Sequence, residues 1–202
     1  VTGRGISFAI PAVLALAWAA AEAGLLASLA DTEANPAPAP ITYVFDASST
    51  DVRFFYRTPL SKGHGRFSGV TGTAIIDDSR PEATFVEASV PTASLQADSR
   101  LAMRALRGPH FFSITHHPHI NFRGTNLRVT GQTTAQMSGQ ITVRGITRSV
   151  LLDVHLAEPK PSGARTLRAS THIHRSDFEM TAYPKLIGEA VEIEITARLL
   201  PR

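Results

Sequence analysis

The chain of 202 residues contains no cysteine. Disulfides, thiolate metal centres and a lipid-bearing cysteine anchor are therefore excluded, although the redox compartment is left open. Charge of either sign is sparse, at 18% of residues, and aromatics make up 7%. The formal net charge is +3 and the isoelectric point about 9.7. These charges are scattered, with Arg100, Arg104 and Arg107 the nearest approach to a cluster. No aromatics interleave with them in the way that single-strand nucleic-acid binders require. They read as a solvated face, and nucleic acid is not an expected partner. No G-x-S-x-G elbow, phosphate loop or H-E-x-x-H motif occurs, so no catalytic residue is assigned.

Long apolar runs are also lacking. The longest, Ile6 to Ala21, follows Arg4 and leads into Ala21-Glu22-Ala23 and Ser28-Leu29-Ala30. It falls short of the roughly 20 residues that a spanning helix needs. A positive start, a short apolar middle and small-x-small exits describe a secretory signal, so residues 1–30 are expected to be a signal peptide, or an N-terminal anchor if uncleaved. The expected location is periplasmic. Residues 31–40, ending in alternating Ala-Pro, read as an extended linker. The fold is expected to occupy residues 41–202.

What is abundant there is period two. Val52, Phe54 and Tyr56 alternate with Arg53, Phe55 and Arg57; Met137, Ile141 and Val143 with Gln136, Gln140 and Thr142. The same rhythm returns in Val150–Leu156, Leu167–Ile173 and Val191–Leu199. One apolar and one polar face per run is the signature of antiparallel strands wet on one side. Further strands are expected at His64–Asp77, punctuated by Gly65, Gly69 and Gly72, at Ala83–Val90, and at Ile120–Val129 with a bulge near Gly124. Arg144-Gly145 reads as a two-residue hairpin turn. One short helix is expected from about Ser99 to Arg107, capped by Asp98 or Ser99, stopped by Gly108-Pro109, and apolar along Leu101, Ala105 and Leu106.

About eight long strands and one helix, with no βαβ rhythm, describe an all-β domain. Closure into a barrel removes its edges, and eight strands leave an interior wide enough for one slender ligand. A sandwich with a filled core is the alternative architecture.

Several segments resemble the YceI-like, polyisoprenoid-binding family. They are Phe45-Asp46 to Phe54, Gly65-Arg66-Phe67-Ser68-Gly69, Phe111-Phe112 with His117-Pro118-His119-Ile120-Asn121-Phe122, and Ile141 to Val150. The last is Arg175-Ser176-Asp177-Phe178, continuing to Ile193. They follow in the family's order from Thr42 to about Leu199. The chain departs from the family pattern at Ser48-Ser49, Ala102-Met103, Ala105 and His110, and at Glu179, where the family carries glycine after Asp-Phe. The resemblance implies a lipocalin-like antiparallel barrel, exported, holding an isoprenoid or similar chain.

A long apolar ligand needs only a dry tunnel, since burial returns about 0.8 kcal/mol per methylene. The candidate wall comprises Phe54, Tyr56, Phe67, Phe111, Phe122, Met137, Ile141, Leu152, Val154, Ile173 and Phe178. Plain core packing is the competing reading for each of them. Small residues at Ala135, Gly139, Ala169 and Ala197 are expected to leave space between them. Arg175 and Asp177 are expected to pair at the cavity mouth, pinning a loop or meeting a headgroup, and Arg148 is a further mouth candidate. No metal site or cofactor is expected: His116, His117 and His119, like His172 and His174, read as surface tracts without a completing carboxylate or cysteine. Partners compatible with such a barrel are the lipid itself, a membrane surface and a second copy of the chain. A hydrolase and a solid structural or adhesive domain are the rival functions.

Overall fold

The computed structural model describes residues 39–157 and 161–202. The expected signal segment lies outside them, as does the linker up to residue 38. Eleven strands and one helix follow in order: β1 Ile41–Phe45, β2 Asp51–Arg57, β3 Lys62–Ser68, β4 Thr71–Ile76, β5 Phe85–Pro91, β6 Gln96–Ala97, α1 Arg100–Arg107, β7 His119–Val129, β8 Thr134–Val143, β9 Ile146–Leu156, β10 Arg165–His174 and β11 Ala190–Pro201.

All pairings are antiparallel, and β1 pairs with both β4 and β11. That double pairing closes the ring. Three strands are broken along their length. β1 and β2 lie end to end against β11, with Asp46–Thr50 bulging out of the wall between them. β3 continues into β4 past Gly69, whose φ is +70°. β5 continues into β6 through a 3-10 turn at Thr92–Ser94. Counted this way the wall is a closed eight-stranded, up-and-down barrel, the barrel expected and not the sandwich that the same alternation allows, with one α-helix among the described residues. The expected single strand His64–Asp77 is thus one bent strand in two segments, and β1 is an addition.

The sequence pattern requires cover for one face of every strand, and the pairing of β1 with both β4 and β11 supplies it by closure. Outward positions carry Arg53, Gln136, Asp153 and Glu194, which solvent accepts, while inward positions are apolar and need cover. Closing the wall hides the inward face and leaves no long edge. The β8–β9 hairpin uses Arg144 and Gly145 at φ +54° and +76°, the two left-handed positions that a two-residue turn needs to match strand twist. The bulge in β7 falls between Thr125 and Leu127, with Asn126 at φ +57°, close to but past Gly124.

Helix α1 starts at Ser99, whose hydroxyl accepts the Ala102 N–H at 3.0 Å, and stops at Gly108. Its buried face differs from expectation. Leu106 is buried, Ala102 and Met103 are half-buried, and Leu101 is 80% exposed. Packing against β6 and the following loop, rather than the apolar count, chose that face.

Candidate ligand-binding cavity

Inside the wall is a cavity of about 210 Å³. It extends from Phe45, Ile76, Leu156 and Leu199 at one end of the barrel to Phe111, Phe112, Met180 and Ile187 at the helix-covered end. Buried apolar side chains fall into three separate groups. One is built around Phe54, Phe67, Ile120 and Ile193, one around Met137, Leu152 and Val154, and one around Tyr43, Ala74 and Leu199. The residues shared between groups, Phe45, Val86, Leu167 and Ile195, all line the cavity and are only half-buried. A solid core would bury its central residues most completely. Here the four positions that join the groups are left partly uncovered.

The rings are kept out of the bore by glycines in the wall. A Cβ on Gly65 would lie 2.1 Å from the Phe54 ring, and one on Gly63 2.4 Å from the Tyr56 ring. Each glycine is the cross-strand partner of the aromatic that covers it. Phe122 likewise lies over Gly139, within 2.6 Å of where a Cβ would be. These side chains fold sideways onto the neighbouring strand, covering backbone that would otherwise face the interior. Gly139 therefore does not open space, contrary to expectation: Phe122 fills its place. Nor does Ala135 line the cavity, whereas Ala74, Ala88, Ala169 and Ala197 do.

Of the candidate wall residues, Phe54, Tyr56, Phe67, Phe111, Phe122, Met137, Ile141, Leu152, Val154 and Ile173 are brought together around this one cavity. Phe178 is not. It is fully buried in the packed layer beneath the helix-covered end, because the 3-10 turn Arg175–Phe178 points it into that core. Sequence reasoning missed Phe45, Val86 and Leu127. The inward phase of Phe45 and Leu127 becomes readable only once the break in β1–β2 and the bulge in β7 are known, whereas Val86 lies in the regular strand β5.

The polar candidates are arranged differently from expectation. Arg175 is buried at 3% exposure and contributes to the cavity lining rather than sitting at its mouth. Its guanidinium donates to backbone carbonyls: Nε to Gly188 at 3.1 Å, Nη1 to Met180 and to Ala182 at 2.9 Å, and Nη2 to Ile187 at 3.1 Å. The carboxylate nearest to it is Glu189 at 3.8 Å, not Asp177, which is exposed and has no ion-pair partner among the described residues. The fork geometry of arginine gathers four carbonyls that the irregular 179–189 loop leaves without strand partners. Hydrogen bonds from Ser176, with the Arg175 charge behind them, hold Glu189 below the ordinary carboxylate range. Arg148 shares the inward phase of Val150 and Leu152 but is exposed at the strand's end. Burial, and after it the charge of Asp98, pushes the Tyr56 phenol upward, so it is neutral over the physiological range. The remaining polar lining is Thr50, Thr84 and Thr171. Among the described residues, no three histidine or acidic side chains come together as a metal site.

With the geometry in place, the match to a YceI-like domain model over residues 43–199 decides the family. The chain belongs to the YceI-like domain family. A UPF0312 protein of Ectopseudomonas mendocina is 27% identical over 134 residues, covering 64% of this chain and 70% of that one. One of Azotobacter vinelandii is 28% identical over 89 residues, 44% of this chain and 46% of the relative's length. Among solved structures, BcnA of Burkholderia cenocepacia has a TM-score of 0.71 at 16% identity, covering 76% of this chain and 98% of that one. A polyisoprenoid binding domain from Saccharophagus degradans has a TM-score of 0.60 at 12% identity, covering 80% and 99%. At these identities the likeness is one of fold. The YceI-like barrel of this chain is thus fixed both by its own closure and by its neighbours.

Proposed function

We propose that this YceI-like protein is an exported, non-catalytic carrier. In this reading it holds one polyisoprenoid or similar long-chain amphiphilic lipid in its barrel, for transport, storage or protection. The observation that carries this reading is the cavity: threaded lengthwise through a closed wall, lined by apolar side chains, and left open where a structural domain would fill it. Such a bore suits a slender hydrocarbon. Each methylene entering it returns about 0.8 kcal/mol, less the cost of ordering a flexible tail. The polyisoprenoid binding domain of S. degradans, with the same fold, supports the lipid class. The segment 1–30 supports export.

The test is lipid extraction of the full chain after purification from a bacterial host, followed by mass spectrometry of the extract. The expected result is a long-chain lipid near one per protein. After delipidation, an added polyprenol should be taken up again. No copurified lipid together with no uptake would overturn the reading. Recovery of the chain in the periplasmic fraction, shortened at its N-terminus, is the expected outcome for export; full-length chain in the cytosol would contradict it.

A further inference from the structure

The two ends of the barrel differ in chemistry. The helix-covered end is built from four connections: residues 58–61, 98–118, 144–145 and 175–189. Three of them hold the most exposed large apolar side chains of the described residues. Leu60 is 98% exposed, Leu101 80% and Leu186 59%, with Tyr183 beside Leu186 at 54%. They are held outward by ordered backbone. The turn carrying Leu60 is closed by Thr58 N–H donating to Ser61 O at 2.8 Å and by Ser61 N–H donating to the Thr58 hydroxyl at 3.0 Å. Tyr183 sits at φ +55° and stacks on Phe111 with ring centres 6.3 Å apart. The Leu186 N–H donates to the Tyr183 carbonyl at 2.9 Å.

The same end carries exposed cations. Arg100 and Arg104 flank Leu101 on α1, Lys185 precedes Leu186, and Arg148 stands just past the β8–β9 turn. None of the four has an ion-pair partner among the described residues. Asp177 and Glu179 are the exposed acids at this end that also lack one, since Asp98 is engaged with His64 and Glu189 with Ser176 and Arg175. At the opposite end Asp77 is paired with Arg80 and Asp78 with Arg165, Arg128 and Arg202 are exposed, and the exposed large apolar side chains are Val129 at 55% and Ile41 at 44%, fewer than at the helix-covered end and none as exposed as its three leucines.

From this we infer that the helix-covered end docks on an anionic lipid bilayer, with Leu60, Leu101, Tyr183 and Leu186 entering the interface and Arg100, Arg104, Arg148 and Lys185 facing the headgroups. Apolar tips ringed by cations are the arrangement that gains from both burial and surface potential at a negatively charged membrane. The inference rests on the carrier reading, because it supplies that barrel with a lipid phase to exchange with.

The absence of cysteine gives a direct test. Single Leu60→Cys, Leu101→Cys and Leu186→Cys variants of the full chain, and Val129→Cys at the opposite end, are labelled with an environment-sensitive fluorophore. They are mixed with phosphatidylcholine vesicles with or without phosphatidylglycerol. The first three labels should brighten severalfold on anionic vesicles only, and Val129 should not. Arg100→Glu with Arg104→Glu should lower the response roughly tenfold, and so should high salt. Equal brightening at Val129, or none at the three tips, would overturn the proposal. So would brightening without vesicles in a chain of twice the monomer mass, which would make the face a contact between copies. The lipid content of the same preparations keeps the two readings apart. Lipid-loaded protein whose tips stay dark removes the docking alone, and lipid-free protein whose tips respond removes the carrier alone.

Discussion

Three side chains show how individual residues hold this barrel. Arg175 is the clearest, since its one guanidinium serves four carbonyls of the loop that caps the helix-covered end. Arg175→Met should lower stability by about 3–5 kcal/mol in urea unfolding, because the carbonyls are left buried and unpaired. Lysine should not rescue it, having no fork. Glu179 occupies a left-handed position at φ +58°, where the family pattern has glycine. Glu179→Gly should therefore raise stability by about 0.5–1 kcal/mol in the same measurement. Asp77 is held below its ordinary carboxylate value first by the Ser79 hydroxyl, at 2.5 Å, and then by Arg80. A depressed carboxylate stabilises the fold above its unfolded pKa and loses that contribution as pH falls through the folded one. The stability gap between the wild type and Asp77→Asn should thus narrow on acidification below about pH 4, as read by thermal unfolding across pH. The role of Arg175 was not legible in the sequence. An Arg-x-Asp spacing suggests an ion pair, whereas the partners are backbone carbonyls that have no sequence signature.

At the scale of elements, alternation is a faithful guide wherever the wall is wet on one side only. The runs 135–143, 150–156, 167–173 and 191–199 all fall inside strands with the expected face inward. The signal fails where a strand bends, as at Asp46–Thr50, Gly69 and Thr92–Ser94, because each break shifts the phase and disguises inward residues such as Phe45. It fails also in α1, where eight residues cannot fix a buried face and Leu101 points outward. The Arg144-Gly145 turn was readable because only a few dipeptides tolerate two left-handed positions. A Cβ on Gly145 would meet nothing closer than 3.7 Å, so the cost of Gly145→Ala is that of the backbone alone. It should be about 1 kcal/mol in chemical denaturation, and a change under a few tenths would show that the turn is not strained as described.

For the molecule as a whole, the closed wall and the open bore are separate facts. The first rests on the double pairing of β1, since the pattern of apolar and polar positions would suit a sandwich as well. The second depends on where rings lie, and the sideways packing of Phe54, Tyr56 and Phe122 over Gly65, Gly63 and Gly139 could not be read from spacing. The bore can be closed on purpose. Ala88 on β5 and Ala169 on β10 line it from strands that lie four apart whichever way round the eight-stranded ring is counted. Leucine at both positions should fill space from opposite walls and leave the fold at least as resistant to urea. The most direct measurement is native mass spectrometry of the wild type beside Ala88→Leu/Ala169→Leu, each as the full chain from the same host. The wild type should carry a long-chain lipid and the filled variant should fly bare. A wild type without added mass, or a folded variant carrying the same lipid, would contradict a lipid-holding interior.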